Sequence, residues 1–211
     1  MFFDTLSPEA IEQLPLVAFS GQIEVIDSPN KLEAALTVLE QASVLGFDTE
    51  TKPCFVSRPP GKKIQPALLQ LSTGEAAYLF RLLEIGLPAR LAALLARPNI
   101  VKVGVAIKDD IRGLQSYRKF TAAGFVDLQQ MTEDFGVKEK GLKKMTAIIL
   151  GIRISKGQQL SNWENAKLTP AQQQYAATDA WVCHEIYRRL QGMKRQPSVL
   201  PNILKRHEDY P

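Results

Sequence analysis

The sequence predicts an α/β fold in which a mixed sheet carries helices packed against it. Two observations predict it. Short apolar runs of strand length recur between Gln22 and Asp127, and helical patterning takes over from Leu128 onward. A third is the bulk balance, 45% hydrophobic and 23% charged over 211 residues, which excludes global disorder and leaves material for a core.

The elements follow in order. Met1 to about Gln22 reads as an N-terminal extension, because Pro8 and Pro15 interrupt any long helix. A globular unit over 23–192 follows, with a proline-containing tail over 193–211. Gln22–Ile26 is a short strand. Ser28-Pro29 supplies an N-cap and a first helical position, opening a helix through Leu32, Ala35, Leu36 and Leu39. Val44–Asp48 is a buried strand whose tip is acidic. Lys52 to Gln65, with three prolines and the bases Lys52, Arg58, Lys62 and Lys63, is a loop. Ala67–Ser72 and Ala77–Phe80 flank Thr73-Gly74-Glu75 as a hairpin. A helix over Leu87–Ala96, a strand over Ile100–Gly104, a helix over Lys108–Tyr117 and a strand over Phe125–Asp127 complete the first half. In the second half, Thr169-Pro170-Ala171-Gln172 has capping-box spacing and opens a helix to about Leu190.

Several function classes are set aside at once. No apolar run approaches the ~18 residues that a membrane span needs, and Met1-Phe2-Phe3-Asp4 lacks the basic start of a secretory signal. Cys54 and Cys183 are too few and too far apart for a disulfide framework, so each is expected as a free thiol in a reducing cytoplasm, or near the nucleoid in a bacterium. A net charge of +4 is compatible with a polyanionic partner and equally with an ordinary basic protein.

The chemistry-bearing residues are acids. Asp48 and Glu50 stand two apart at a strand end, so strand periodicity sends both carboxylates to one side of the sheet. Two adjacent carboxylates repel unless protons or a hard cation offset them. An exposed turn is the alternative setting for an isolated Asp-x-Glu. Tyr175 and Asp179 stand four apart and share a helical face, among the small residues Ala176, Ala177 and Ala180. An ordinary amphipathic helix would look the same. Asp110 lies in a first helical turn, where the helix dipole alone favours an acid, and Asp109 competes with it for any role.

Taken together and in order, Phe47-Asp48-Thr49-Glu50-Thr51, Val103-Gly104-Val105-Ala106-Ile107-Lys108-Asp109-Asp110 and Tyr175-Ala176-Ala177-Thr178-Asp179-Ala180 resemble the three motifs of the DEDD nuclease superfamily. The tyrosine four before the last aspartate marks the subgroup that uses tyrosine where others use histidine. The similarity is to Werner-syndrome-type exonuclease domains and to the catalytic domain of ribonuclease D; Ser161-Asn162-Trp163 shares it, and it runs from about Ile23 to Leu190. The resemblance implies a ribonuclease-H-like fold with a mixed five-stranded sheet flanked by helices. It also implies a 3′-5′ exonuclease releasing nucleoside 5′-monophosphates from DNA or RNA, single-stranded or at the 3′ end of a duplex. Asp48, Glu50 and Asp179 would hold one ion, Asp48 would bridge to a second, and Asp110 would support that second ion through water. Tyr175 would orient the attacking water. Oxygen-only ligands suit two Mg²⁺ or Mn²⁺ ions, which activate water and neutralise the leaving oxygen.

The remaining polar signals are weighed against plainer roles. Lys62 and Lys63 lack Walker spacing; with Arg58 they are either phosphate contacts or a solvated loop. Lys138, Lys140, Lys143, Lys144, Arg153 and Lys156 form either a track for a strand or a solvated face. Thr49, Lys62, Lys63 and Lys156 are the candidate substrate contacts. Trp163 either stacks on a base or packs inside; His184 is a surface or packing residue, and Asp127 caps the helix before Leu128. Ribonuclease D carries helical domains beyond its catalytic one, whereas 32 residues follow Asp179 here; the departure counts against a tRNA-processing role without making DNA the substrate. The alternative function is a silent nucleic-acid-binding or scaffold module of the same fold.

Overall fold

A computed structural model describes residues 2–53 and 65–193. Cys54, Arg58, Lys62, Lys63 and the tail from 194 lie outside the described residues. The sheet is built from β1 (Gln22–Ile26), β2 (Val44–Glu50), β3 (Leu68–Ser72), β4 (Ala76–Arg81), β5 (Val101–Gly104) and β6 (Phe125–Asp127), in the spatial order β1-β4-β3-β2-β5-β6. The β1/β4, β2/β5 and β5/β6 pairs are parallel; β2/β3 and β3/β4 are antiparallel. The sheet is therefore mixed. It has six strands where the resemblance implied five, and all six coincide with strand segments read from the residues. The edge strand β6 is the shortest, with three residues.

Around it pack α1 (Pro8–Glu12), α2 (Pro29–Leu39), α3 (Leu82–Ile85), α4 (Ala89–Leu95), α5 (Lys108–Tyr117), α6 (Leu128–Met131), α7 (Leu142–Leu150) and α8 (Pro170–Gln191). No helix among the described residues is long and apolar enough to cross a membrane. Alternation along β2 sorts the two faces. Leu45 and Phe47 join Leu69, Leu71, Phe80 and Ile26 in a core covered by α2, α4 and α5. Gly46 and Asp48 face α8 instead. A Cβ at Gly46 would lie 1.8 Å from the Ala180 carbonyl oxygen, so only glycine lets α8 lie this close to β2.

Local signals explain the element ends. The Thr169 hydroxyl accepts from the Gln172 N–H at 3.2 Å, and the Gln172 amide oxygen accepts from the Thr169 N–H at 2.9 Å, completing the expected capping box. Ser28 occupies the N-cap of α2 in extended backbone, but its hydroxyl makes no cap bond. The helical reading from Leu128 onward overreached at 136–141 and again between 151 and 169. Gly151 ends α7 in left-handed backbone (φ 69°), and irregular turns lead from there to Thr169. The fully buried Trp163 anchors that stretch, so its ring packs and does not present a face to a base. His184 is likewise a packing residue, beside Gly74 and bonded to Glu185 at 2.9 Å.

Candidate active site

Strand and helix together create one acidic focus. β2 carries Asp48 and Glu50 to the face that α8 covers, and α8 places Tyr175 and Asp179 one turn apart above them. One carboxylate oxygen from each of Asp48, Glu50 and Asp179 lies within 4.8 Å of the other two. Crowding strips water from these acids and each lies in the field of the others. Burial, then Asp179 and Asp110, push Asp48 well above the usual carboxylate range. The same causes, with Asp48 foremost among the charges, bring Glu50 to about 10. Burial brings Asp179 to about 7, with Tyr175 and Lys156 opposing the rise. Asp179 is buried, whereas Asp48 and Glu50 look partly into a groove of about 820 Å³.

Tyr175 reaches the Asp179 carboxylate with its hydroxyl. Burial and the neighbouring carboxylates push its pKa further up, so it stays a neutral hydroxyl. Its ring lies 6.0 Å from that of Trp163 at a 40° tilt. Trp163 thus packs beside Tyr175.

Asp110 stands apart from the cluster of three. It sits in the first turn of α5, on the other flank of β2, and its Oδ1 accepts the Thr49 hydroxyl. Burial raises its pKa and that hydrogen bond counters the rise. Its charge still reaches Asp48 and Glu50. Asp109 points outward to Arg112 at 3.0 Å. Thr49 lines both the main groove and a second one beside Asp110. Lys156 lines the main groove with Lys138, Lys140, Lys143 and Lys144.

Three contributors are absent from the linear reading. Gln70 sits opposite Asp48 in the β2/β3 register, fully buried, with neither amide atom hydrogen-bonded among the described residues. Asp127 caps α6 through the Gln129 N–H at 2.9 Å, as expected, but it also accepts the Ala106 N–H at 3.1 Å. Ala106 has φ 56°, the one positive-φ residue other than glycine among those described, in the turn that aims Asp110. Both contacts need strand registers that sequence spacing does not reveal. The third is the segment before β1: Pro8, Ile11 and Glu12 of α1 line the groove.

Oxygen-only donors, mutually repelling and converging from two elements, fit a hard divalent cation, and the cluster of Asp48, Glu50 and Asp179 is able to hold one. Comparison with known proteins points the same way. The family model described as 3′-5′ exonuclease matches residues 23–194. The mouse bifunctional 3′-5′ exonuclease/ATP-dependent helicase WRN is 32% identical over 189 residues, covering 85% of this chain and 13% of that protein. Ribonuclease D of Haemophilus influenzae is 30% identical over 169 residues, covering 79% of this chain and 41% of the enzyme. The chain thus spans well under half the length of either relative. Among solved structures, the Aedes aegypti Nibbler EXO domain superposes with a TM-score of 0.72 at 26% identity, covering 83% of this chain and 91% of that one.

Proposed function

The chain belongs to the 3′-5′ exonuclease family, and from that membership and the geometry of its acids we propose that it removes nucleotides from the 3′ end of a nucleic-acid strand as 5′-monophosphates. The observation that carries the proposal is the convergence of Asp48, Glu50 and Asp179 within 4.8 Å, beside a tyrosine hydroxyl and at the floor of a lysine-lined groove.

In this reading Asp48, Glu50 and Asp179 would hold one divalent cation, Mg²⁺ or Mn²⁺. Asp48, with Asp110 steadied by Thr49, would serve a second. Bound ions would lower the pKa of an attacking water and neutralise charge on the phosphate and the departing 3′ oxygen. Tyr175, neutral by burial, orients that water by hydrogen bonding and does not act as a base. Lys138, Lys140, Lys143, Lys144 and Lys156 receive the backbone phosphates of the incoming strand.

A 5′-labelled single strand should shorten from its 3′ end only when Mg²⁺ or Mn²⁺ is supplied. Asp48→Ala and Asp179→Ala should each lower the rate by about a hundred- to a thousandfold, on the order of removing a principal charge-stabilising group. Cleavage at the wild-type rate in either variant rules the site out. Matched DNA and RNA oligonucleotides, single-stranded and 3′-recessed, digested side by side, decide the polymer.

A further inference from the structure

We infer that residues 4–19, which precede the span of the family model, are a working part of this site: a strap that pins the helical turn bearing Tyr175 and Asp179 and forms one wall of the groove. The inference rests on the exonuclease reading for its consequence, but not for its geometry.

The strap leaves the sheet edge at β1 and runs along the flank of α8. Gly21 makes this path possible, because a Cβ there would lie 2.5 Å from the Phe19 ring and 2.2 Å from the Glu75 carbonyl oxygen. Phe19 then takes hold of α8 with its main chain. Its N–H donates to the Thr178 hydroxyl at 3.0 Å, buried, and its carbonyl accepts from the Gln174 amide. Thr178 precedes Asp179 and Gln174 precedes Tyr175, so the clamp grips the turn that carries both. The Phe19 ring is buried against Ala77 and Ala177 and lies 5.9 Å from Trp181. The helix is therefore held by the sheet at Gly46 and along its flank by the strap.

Farther toward the N-terminus, the strap ties to the segment after α7. Val17 N–H donates to the Arg153 carbonyl and Arg153 N–H to the Pro15 carbonyl, each at 2.9 Å, while Arg153 Nε donates to the Leu14 carbonyl at 3.0 Å. This sets α1 at the groove rim. Glu12 lies 3.5 Å from both Lys143 and Arg153, and Asp4 lies 3.1 Å from Lys138. Two acids of the strap thus occupy bases that an incoming phosphate would use, and a strand must exchange with them.

Full-length protein decides the matter with two readouts. In calorimetric titration with Mn²⁺, Thr178→Val should weaken binding about tenfold and Thr178→Ser should restore it, since serine keeps the hydroxyl that accepts from the Phe19 N–H and donates to the Gln174 carbonyl. On a 5′-labelled strand, Thr178→Val should lower kcat with little change in KM. Glu12→Gln should lower KM a few-fold with kcat unchanged. Should Thr178→Val not fold, Gln174→Ala, which removes only the contact to the Phe19 carbonyl, replaces it. A folded clamp variant with wild-type Mn²⁺ affinity and kcat overturns the clamp. An unaltered KM in Glu12→Gln overturns the wall. If the wild-type protein degrades no strand at all, the exonuclease reading fails while the Mn²⁺ titration still scores the clamp.

Discussion

At the scale of single residues, the acids of the site work against the fold that holds them. Asp48, Glu50 and Asp179 have folded-state pKa values above those of an unfolded chain, chiefly through burial. The sign follows from proton uptake. Below the ordinary carboxylate range both states are protonated and the fold keeps its full stability. As pH rises through about 7 for Asp179 and about 10 for Glu50, the folded protein must give up protons it favours, and stability is lost. Metal-free protein should therefore melt at a lower temperature at pH 8 than at pH 5.5. Added Mg²⁺ or Mn²⁺ should raise the Tm more at pH 8, where fewer protons compete for the oxygens. Asp48→Asn should raise the metal-free Tm at pH 8 while removing the response to metal. Equal Tm values at the two pH values, with no response to either ion, would contradict the reading of the cluster.

At the scale of elements, the site depends on how closely β2 and α8 approach, and Gly46 sets that distance. Gly46→Ala drives a methyl group into the Ala180 carbonyl, backbone against backbone, where no rotamer change relieves the contact. The substitution should cost about 3 kcal/mol or more, lowering the Tm by on the order of 10 °C in a thermal melt. A Tm within about two degrees of wild type would mean that the two elements can part without harm. This depth of consequence could not be read from the sequence, where Gly46 is merely one residue of an apolar run. Asp48 with Glu50, and Tyr175 with Asp179, were legible because each pair lies within one element whose periodicity is fixed by backbone geometry. Thr169 was legible as a cap for the same local reason. What escaped were relations between elements. Gln70 faces Asp48 only through an antiparallel register, and Asp127 supports Ala106 only because β6 pairs with β5. Asp110, which the family motifs place with the other acids, lies on the far flank of β2 with Thr49.

At the scale of the whole molecule, charge is separated. The chain carries +4 overall, yet Asp48, Glu50 and Asp179 meet at the groove floor, while Lys138, Lys140, Lys143, Lys144 and Lys156 line its sides. A polyanion is thus drawn to the walls and repelled by the floor, which makes capture and chemistry separable. Many of those lysines already pair with acids of this chain: Lys140 with Glu133, Lys144 with Glu139, and Lys138 with Asp4. Such exposed pairs contribute little stability each, so a phosphate displaces them at small cost. Binding should then depend on salt through the phosphates neutralised. With Asp48→Asn protein, so that the strand survives, the logarithm of the association constant for a single strand should fall linearly with the logarithm of salt concentration. Lys144→Met should reduce that slope by about 0.7, the loss of one phosphate contact on a single strand. Fluorescence anisotropy between roughly 50 and 200 mM salt measures it. A slope that Lys144→Met leaves untouched, with Lys143→Met and Lys156→Met equally silent, would place the path of the strand away from this wall.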